Sequence, residues 1–159
     1  VTLEVRGATR DDVPAIRAVG ELTWPSTYSF AGPDFVAHGL ATWWSDEAVL
    51  RSLTTTSTLV AVLDGQVVGV GNIDLHRDPP TIWKLYVVPA AQGTGAGSAL
   101  LRALVGLADG ATVTLEYVDG NDRAAAFYAR QGFVEVRREA PQVDGGPATV
   151  WMEHSGRED

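Results

Sequence analysis

The residue types able to do chemistry are concentrated in one stretch, Leu85-Tyr86-Val87-Val88-Pro89-Ala90-Ala91-Gln92-Gly93-Thr94-Gly95-Ala96-Gly97-Ser98-Ala99-Leu100-Leu101. A β-rich apolar run stops at a proline, a loop with three alternating glycines follows, and an apolar-periodic helix begins behind it. The first amides of such a helix are unpaired donors carrying roughly half a positive charge, which suits a phosphate group. Glycines also let the backbone approach phosphates without interference from Cβ atoms. An ATP-type phosphate loop ends in Gly-Lys-Ser or Gly-Lys-Thr, and no lysine follows Gly97. A dinucleotide fingerprint, G-x-G-x-x-G, needs its third glycine one place later, although Glu116 stands where a ribose-binding acid belongs. The chain has no cysteine, which excludes disulfides, Cys metal ligands and a thiolate nucleophile.

The elements that must position this loop can be taken in order. Thr2 to Arg6 alternates as a strand, and Thr9 with Asp12 resembles a capping box ahead of Val13, Ile16, Val19 and Leu22 at near-helical spacing. Pro25 is expected to close that segment. Residues 24–44 hold Trp24, Tyr28, Phe30, Phe35, Trp43 and Trp44 without one clear period, with a short helix around Asp34–Leu40. Ser45-Asp46-Glu47 starts a further helix whose one face carries Val49, Leu50 and Leu53. Thr58 to Leu63 and Gln66 to Leu75 are strands joined by the hairpin turn Asp64-Gly65.

After Pro79-Pro80, the strand Thr81–Val88 leads into the glycine loop. The next helix carries Leu100, Leu101, Leu104 and Leu107 and stops at Gly110. Ala111 to Val118 is a strand, and Asn121 caps a helix holding Ala124, Phe127 and Tyr128 that ends at Gly132, with Phe127 and Phe133 expected in the core. Phe133–Arg138 and Ala148–Glu153 form a last antiparallel pair around the loop Glu139–Pro147. The hairpin rules out a purely parallel sheet and argues against the dinucleotide reading. The fold class is α+β, a single domain over residues 1–154 on one mixed sheet of six to seven strands, with 155–159 expected as a frayed tail.

Composition limits the partners. An apolar fraction of 45% and a charged fraction of 20% are ordinary for a globular protein, and no apolar run reaches the ~20 residues that span a bilayer. A cytoplasmic location is therefore expected. A net charge of −8 argues against nucleic acid or an anionic membrane as partner and is compatible with an amine. The expected acceptor is a small-molecule amine, and a homodimer is allowed for.

Gln92, Gly95 and Gly97 behind Val87-Val88-Pro89 resemble the acyl-CoA motif of the GNAT superfamily of N-acyltransferases. A second motif agrees: Leu115-Glu116-Tyr117, Asn121, Ala125-Ala126-Phe127-Tyr128 and Gly132-Phe133, in the family's order and separation. The resemblance implies a mostly antiparallel sheet flanked by about four helices, with acetyl-CoA as cosubstrate and no metal. It implies that Leu85, Tyr86, Val87, Gln92, Gly93, Thr94, Gly95, Ala96, Gly97, Ser98, Asn121 and Tyr128 bind the donor. A primary amine would attack the thioester directly, with Glu116 as base, the amide near Val87 at the oxyanion and Tyr128 as acid on the departing thiolate. Asp74, His76 and Glu47 are alternative bases.

The acceptor pocket is expected among Trp24, Tyr28, Trp43, Trp44, Trp83 and Glu139–Pro147, with Trp24, Tyr28 and Trp83 as candidate substrate contacts. Such an aromatic wall would suit a cation with an apolar body, although at least three of the five tryptophans are expected to be core or dimer interface. A peptide or protein N-terminus as acceptor, and a silent acyl-CoA-binding regulatory module, are the alternatives.

Overall fold

The computed structural model describes residues 2–142 and 144–156. Its elements are β1 (Leu3–Gly7), α1 (Val13–Thr27), α2 (Pro33–Trp43), α3 (Asp46–Thr55), β2 (Ser57–Leu63), β3 (Gln66–Asp74), β4 (Thr81–Val87), α4 (Ala96–Leu107), β5 (Val113–Val118), α5 (Asp122–Arg130), β6 (Val134–Glu139) and β7 (Thr149–His154). The strands form one seven-stranded sheet in the order β1-β2-β3-β4-β5-β7-β6. Every pairing is antiparallel except β4 with β5. The α+β expectation holds, with five α-helices where about four were expected. None of the described helices is long and apolar enough to cross a membrane.

Helices α1 to α3 cover one face of the sheet, where Ile16, Val19 and Trp24 meet Val49, Val60 and Val70. On the other face α4 lays Leu100, Leu101 and Leu104 over β2 to β5. The apolar stripe of α4 continues through Val105 and Ala108; Leu107, expected on it, is rotated off and 42% exposed. The local start signals act as read. The Asp12 carboxylate accepts from the Thr9 amide at 2.7 Å and from both Arg6 nitrogens, and the guanidinium holds it down to about 2. Ser45 Oγ accepts from Ala48 N, and Asn121 Oδ1 from Ala124 N, each at 3.2 Å. Pro25 does not close α1, which runs two residues further. It removes only its own bond to the carbonyl of Glu21, an exposed residue in the last turns.

The aromatic stretch that lacked a period owes its order to two glycines inside helices. A Cβ on Gly20 of α1 would collide with the Trp44 ring, and one on Gly39 of α2 with the Trp24 ring. The indoles fill those notches, so Trp24 and Trp44 are 7% and 1% exposed. Lys84 of β4 ties this layer to the sheet: Nζ lies 4.2 Å from the Trp44 ring centre and donates to the Trp43 carbonyl at 2.7 Å. At the chain's far end the Gly156 amide donates to His154 Nδ1 at 2.9 Å, and Gly156 lies against Gly110 and Ala111. The rest of the expected tail, 157–159, lies outside the described residues.

Gly39→Ala is expected to destabilise the fold by roughly 1–3 kcal/mol, the cost of overpacking a filled site. This would be read as a lower urea midpoint with an unchanged slope, and a midpoint equal to wild type would contradict the notch.

Candidate active site

The site is made by a failure of pairing. β4 and β5 are parallel partners at only two positions, Thr81 with Thr114 and Ile82 with Leu115. Immediately beyond, β4 carries a bulge: Ile73 and Asn72 of β3 oppose Ile82 and Lys84, which leaves Trp83 as the extra residue. A bulge bends its strand and increases the local twist, and here β4 turns away from β5. Asn72 secures the bend, its Oδ1 accepting from the Lys84 amide at 2.8 Å. Further along, the Val88 amide donates to the Val68 carbonyl. Antiparallel ladders alternate the direction of their backbone groups. The Leu85 and Val87 amides therefore point away from β3, into the gap that β5 has left.

That gap is a cleft of about 450 Å³ running through the sheet. Leu85, Tyr86, Val87, Gln92, Gly93, Gly95, Gly97, Ser98, Asn121 and Tyr128 line it, as do Glu116, Tyr28 and Trp83. Trp43, Trp44 and the described residues of 139–147, expected in the acceptor pocket, do not line it, and neither do three of the expected donor and substrate contacts. Thr94 turns its hydroxyl back to the Ala91 carbonyl, Ala96 is buried under the loop, and Trp24 lies in the core beside Tyr28. Phe127, expected in the core, faces the cleft and is only half-buried. Asp74, His76 and Glu47 stand outside its lining.

The glycine loop enters the cleft with two left-handed residues, Gly93 at φ +85° and Gly95 at φ +90°, the second being the N-cap of α4. Gly97 differs. A Cβ there would meet Phe127 at 3.6 Å and Val87 at 3.8 Å, ordinary contacts. The protein itself has room for a side chain at Gly97, and the bare backbone leaves that room to the cleft. Arg123 and Arg130 of α5 also line it. They are seven residues apart and so share a helix face; this spacing was the signal in the sequence. The Gln131 amide donates to Ser98 Oγ at 3.1 Å and ties the end of α5 to the start of α4.

The lining of the cleft holds one carboxyl, Glu116, and, besides Tyr117, three phenols. Tyr28 and Tyr86 share a hydrogen bond of 2.8 Å between their hydroxyls. Tyr128 packs against Tyr117, Phe127 and Phe133. Burial pushes all three phenols above their ordinary range, Tyr86 and Tyr128 the furthest, so they stay protonated. Burial also raises Glu116, and the neighbouring Glu139 adds to the rise, while Arg77 and Arg137 oppose it. Among the described residues no group of three or more His, Asp or Glu side chains could hold a metal ion.

Similarity to known proteins identifies the family to which this sheet and cleft belong. Residues 54–135 match the acetyltransferase (GNAT) domain. The chain belongs to the GNAT acetyltransferase family. It is 39% identical over 98 residues to the N-alpha-acetyltransferase RimI of Mycobacterium tuberculosis; that match covers 58% of this chain and 62% of the relative. The whole fold superposes on the PaiA N-acetyltransferase of Thermoplasma acidophilum, solved with coenzyme A, with a TM-score of 0.84 at 18% identity over 98% of this chain and 99% of the other. It also superposes on the ribosomal-protein-S18-alanine N-acetyltransferase of Escherichia coli, with a TM-score of 0.77 at 21% identity over 99% and 96% of the two chains. This GNAT chain thus has the expected family and its sheet.

Gly97→Val is expected to leave the melting temperature near wild type while weakening binding of coenzyme A at least about tenfold by calorimetry, since a branched side chain fills the loop floor. A variant that loses stability and keeps its affinity would contradict the assignment of that space.

Proposed function

We propose that this protein is an acetyl-CoA-dependent N-acetyltransferase whose acceptor is a primary amine, preferentially a small molecule. The observation that carries the reading is the meeting of Glu116, Tyr128 and the unpaired Val87 amide in one cleft behind the glycine loop. The loop amides at the start of α4, with Arg123 and Arg130, hold the phosphates of the donor. The free edge of Leu85 and Val87 takes its amide-rich arm as an added strand would be taken. A cytoplasmic location belongs to the same reading.

An alkyl ammonium must lose a proton before it can attack. Glu116, desolvated and raised, takes that proton directly or through one water. The amine nitrogen then forms a bond to the thioester carbonyl carbon while the Val87 N–H donates to the developing oxyanion. As the C–S bond breaks, Tyr128 gives its proton to the sulfur, and the second proton shed by the acylated nitrogen restores the phenol while Glu116 releases the first to solvent. The products are an N-acetyl amide and the free thiol. With no cysteine in the chain, no thiol acyl-enzyme intervenes. A second reading, transfer to the α-amine of a protein, draws support from the likeness to the N-alpha-acetyltransferase RimI over 98 residues.

Glu116→Gln is expected to lower kcat/KM by roughly a hundredfold near neutral pH, within the usual range for a lost general base. The sign follows from the raised carboxyl: activity of the wild type climbs as pH rises through the Glu116 pKa, because only the carboxylate accepts a proton. The variant loses that limb and recovers only where the amine deprotonates unaided. Tyr128→Phe is expected to lower kcat at least about tenfold with little change in KM, measured by thiol release with a panel of amines, amino acids and peptides. Unchanged turnover and pH profile in Tyr128→Phe would remove the acid role, and melting stabilised by acetyl-CoA without thiol release from any amine would favour a silent binding module.

A further inference from the structure

The open face of the sheet beside Glu116 carries a row of alternating cations and indoles. Arg77, in the β3–β4 loop, places Cζ 4.8 Å from the Trp83 ring centre. Trp83 meets Trp151 edge-on at 6.1 Å, and Arg137 places Cζ 4.5 Å from the Trp151 ring centre. Trp151 is the register partner of both Glu116 on β5 and Arg137 on β6, so these side chains share one face. Trp83 and Glu116 both line the cleft.

This row changes what the acceptor side can recognise. Trp44 already carries Lys84, Trp83 carries Arg77 and Trp151 carries Arg137. Two indoles of the wall expected to receive a cation, Trp44 and Trp83, are thus occupied by the chain's own cations. The two arginines also differ from each other. Arg137 forms an ion pair with Glu139, whereas Arg77 makes no ion pair or side-chain hydrogen bond among the described residues. Arg77 is exposed and held against an indole, one ring from the cleft, in a chain whose net charge is −8. Its charge reaches the Glu116 carboxyl. A planar guanidinium with open donors and one face stacked is suited to a carboxylate.

Building on the acyltransfer reading, we propose that the acceptor is an aminocarboxylate: its amine is delivered to Glu116 while its carboxylate pairs with Arg77 on the Trp83 platform. The zwitterion matches the site charge for charge. An ammonium alone would add a second cation beside Arg77, and an anion alone would face Glu116. The carboxylate has two sources, a free amino acid or an acidic residue near a peptide N-terminus, and both present the same chemistry.

The test compares matched pairs by thiol release from acetyl-CoA: leucine against isoamylamine, β-alanine against ethylamine, γ-aminobutyrate against propylamine, δ-aminovalerate against butylamine. A peptide arm compares Glu with Gln in the second position. At least one carboxylate member is expected to exceed its partner in kcat/KM by roughly tenfold or more, the scale of one charge-assisted pair. Arg77→Gln should collapse that ratio towards one and Arg77→Lys should retain part of it. Using a ratio cancels any general effect of Arg77 on Glu116 or on folding. A preference confined to free compounds assigns the carboxylate to a small molecule, and one confined to peptides assigns it to a side chain. Turnover of amines with no preference in any pair, or a preference that survives Arg77→Gln, overturns the inference and leaves acyl transfer standing. Absence of thiol release with every compound overturns acyl transfer itself, and the inference with it.

Discussion

The early end of the β4–β5 pairing is the constraint on which the rest depends. Backbone donors in the middle of a sheet are almost always paired, and here Leu85 and Val87 are turned towards a strand that has moved away. One extra residue, Trp83, produces the departure, and the side chain of Asn72 fixes it by taking the Lys84 amide. Four strands on one side and three on the other are joined at two residue pairs. The helices close the joint from behind, α4 following β4 and α5 following β5, with Gln131 and Ser98 linking them. The proposed donor cradle and the proposed reacting groups both follow from this one opening.

The same opening sets the electrostatics. A carboxyl and three buried phenols stand around the cavity, and burial shifts all four in the direction of the neutral form. For the phenols this means permanent donors. For Glu116 it means a stronger base than an exposed carboxylate, with two arginines opposing the rise. Those arginines are themselves held by indoles, so the charge balance of the centre is built into the packing of the open face.

Local signals carried much of this in the sequence. The Asp64-Gly65 turn, the Ser45 and Asn121 caps and the glycine run before α4 each depend on a few neighbouring residues and were readable. Glu116 and Tyr128 were readable only through resemblance, because nothing within their own elements marks either as facing a cleft. The bulge at Trp83 was not readable, since register is decided between strands and not within one. For the same reason Trp24 looked like a substrate contact: its burial rests on the notch at Gly39, fifteen residues on in another helix. Arg77 sits in a loop whose sequence says turn, and its role depends on Trp83 and Trp151, one strand and four strands away in the chain.

The cleft takes lining residues from both faces of the sheet, so it has two sides. The glycine loop, Arg123 and Arg130 border one; Thr23, Thr27 and Tyr28 of α1 and the Trp83 side border the other. Two molecules entering from opposite faces do not compete for a route, and one can leave while the other stays. On the acyl-transfer reading, donor and acceptor would reach Glu116 from opposite faces of the sheet. A thin place in a sheet thus becomes a doorway with two sides.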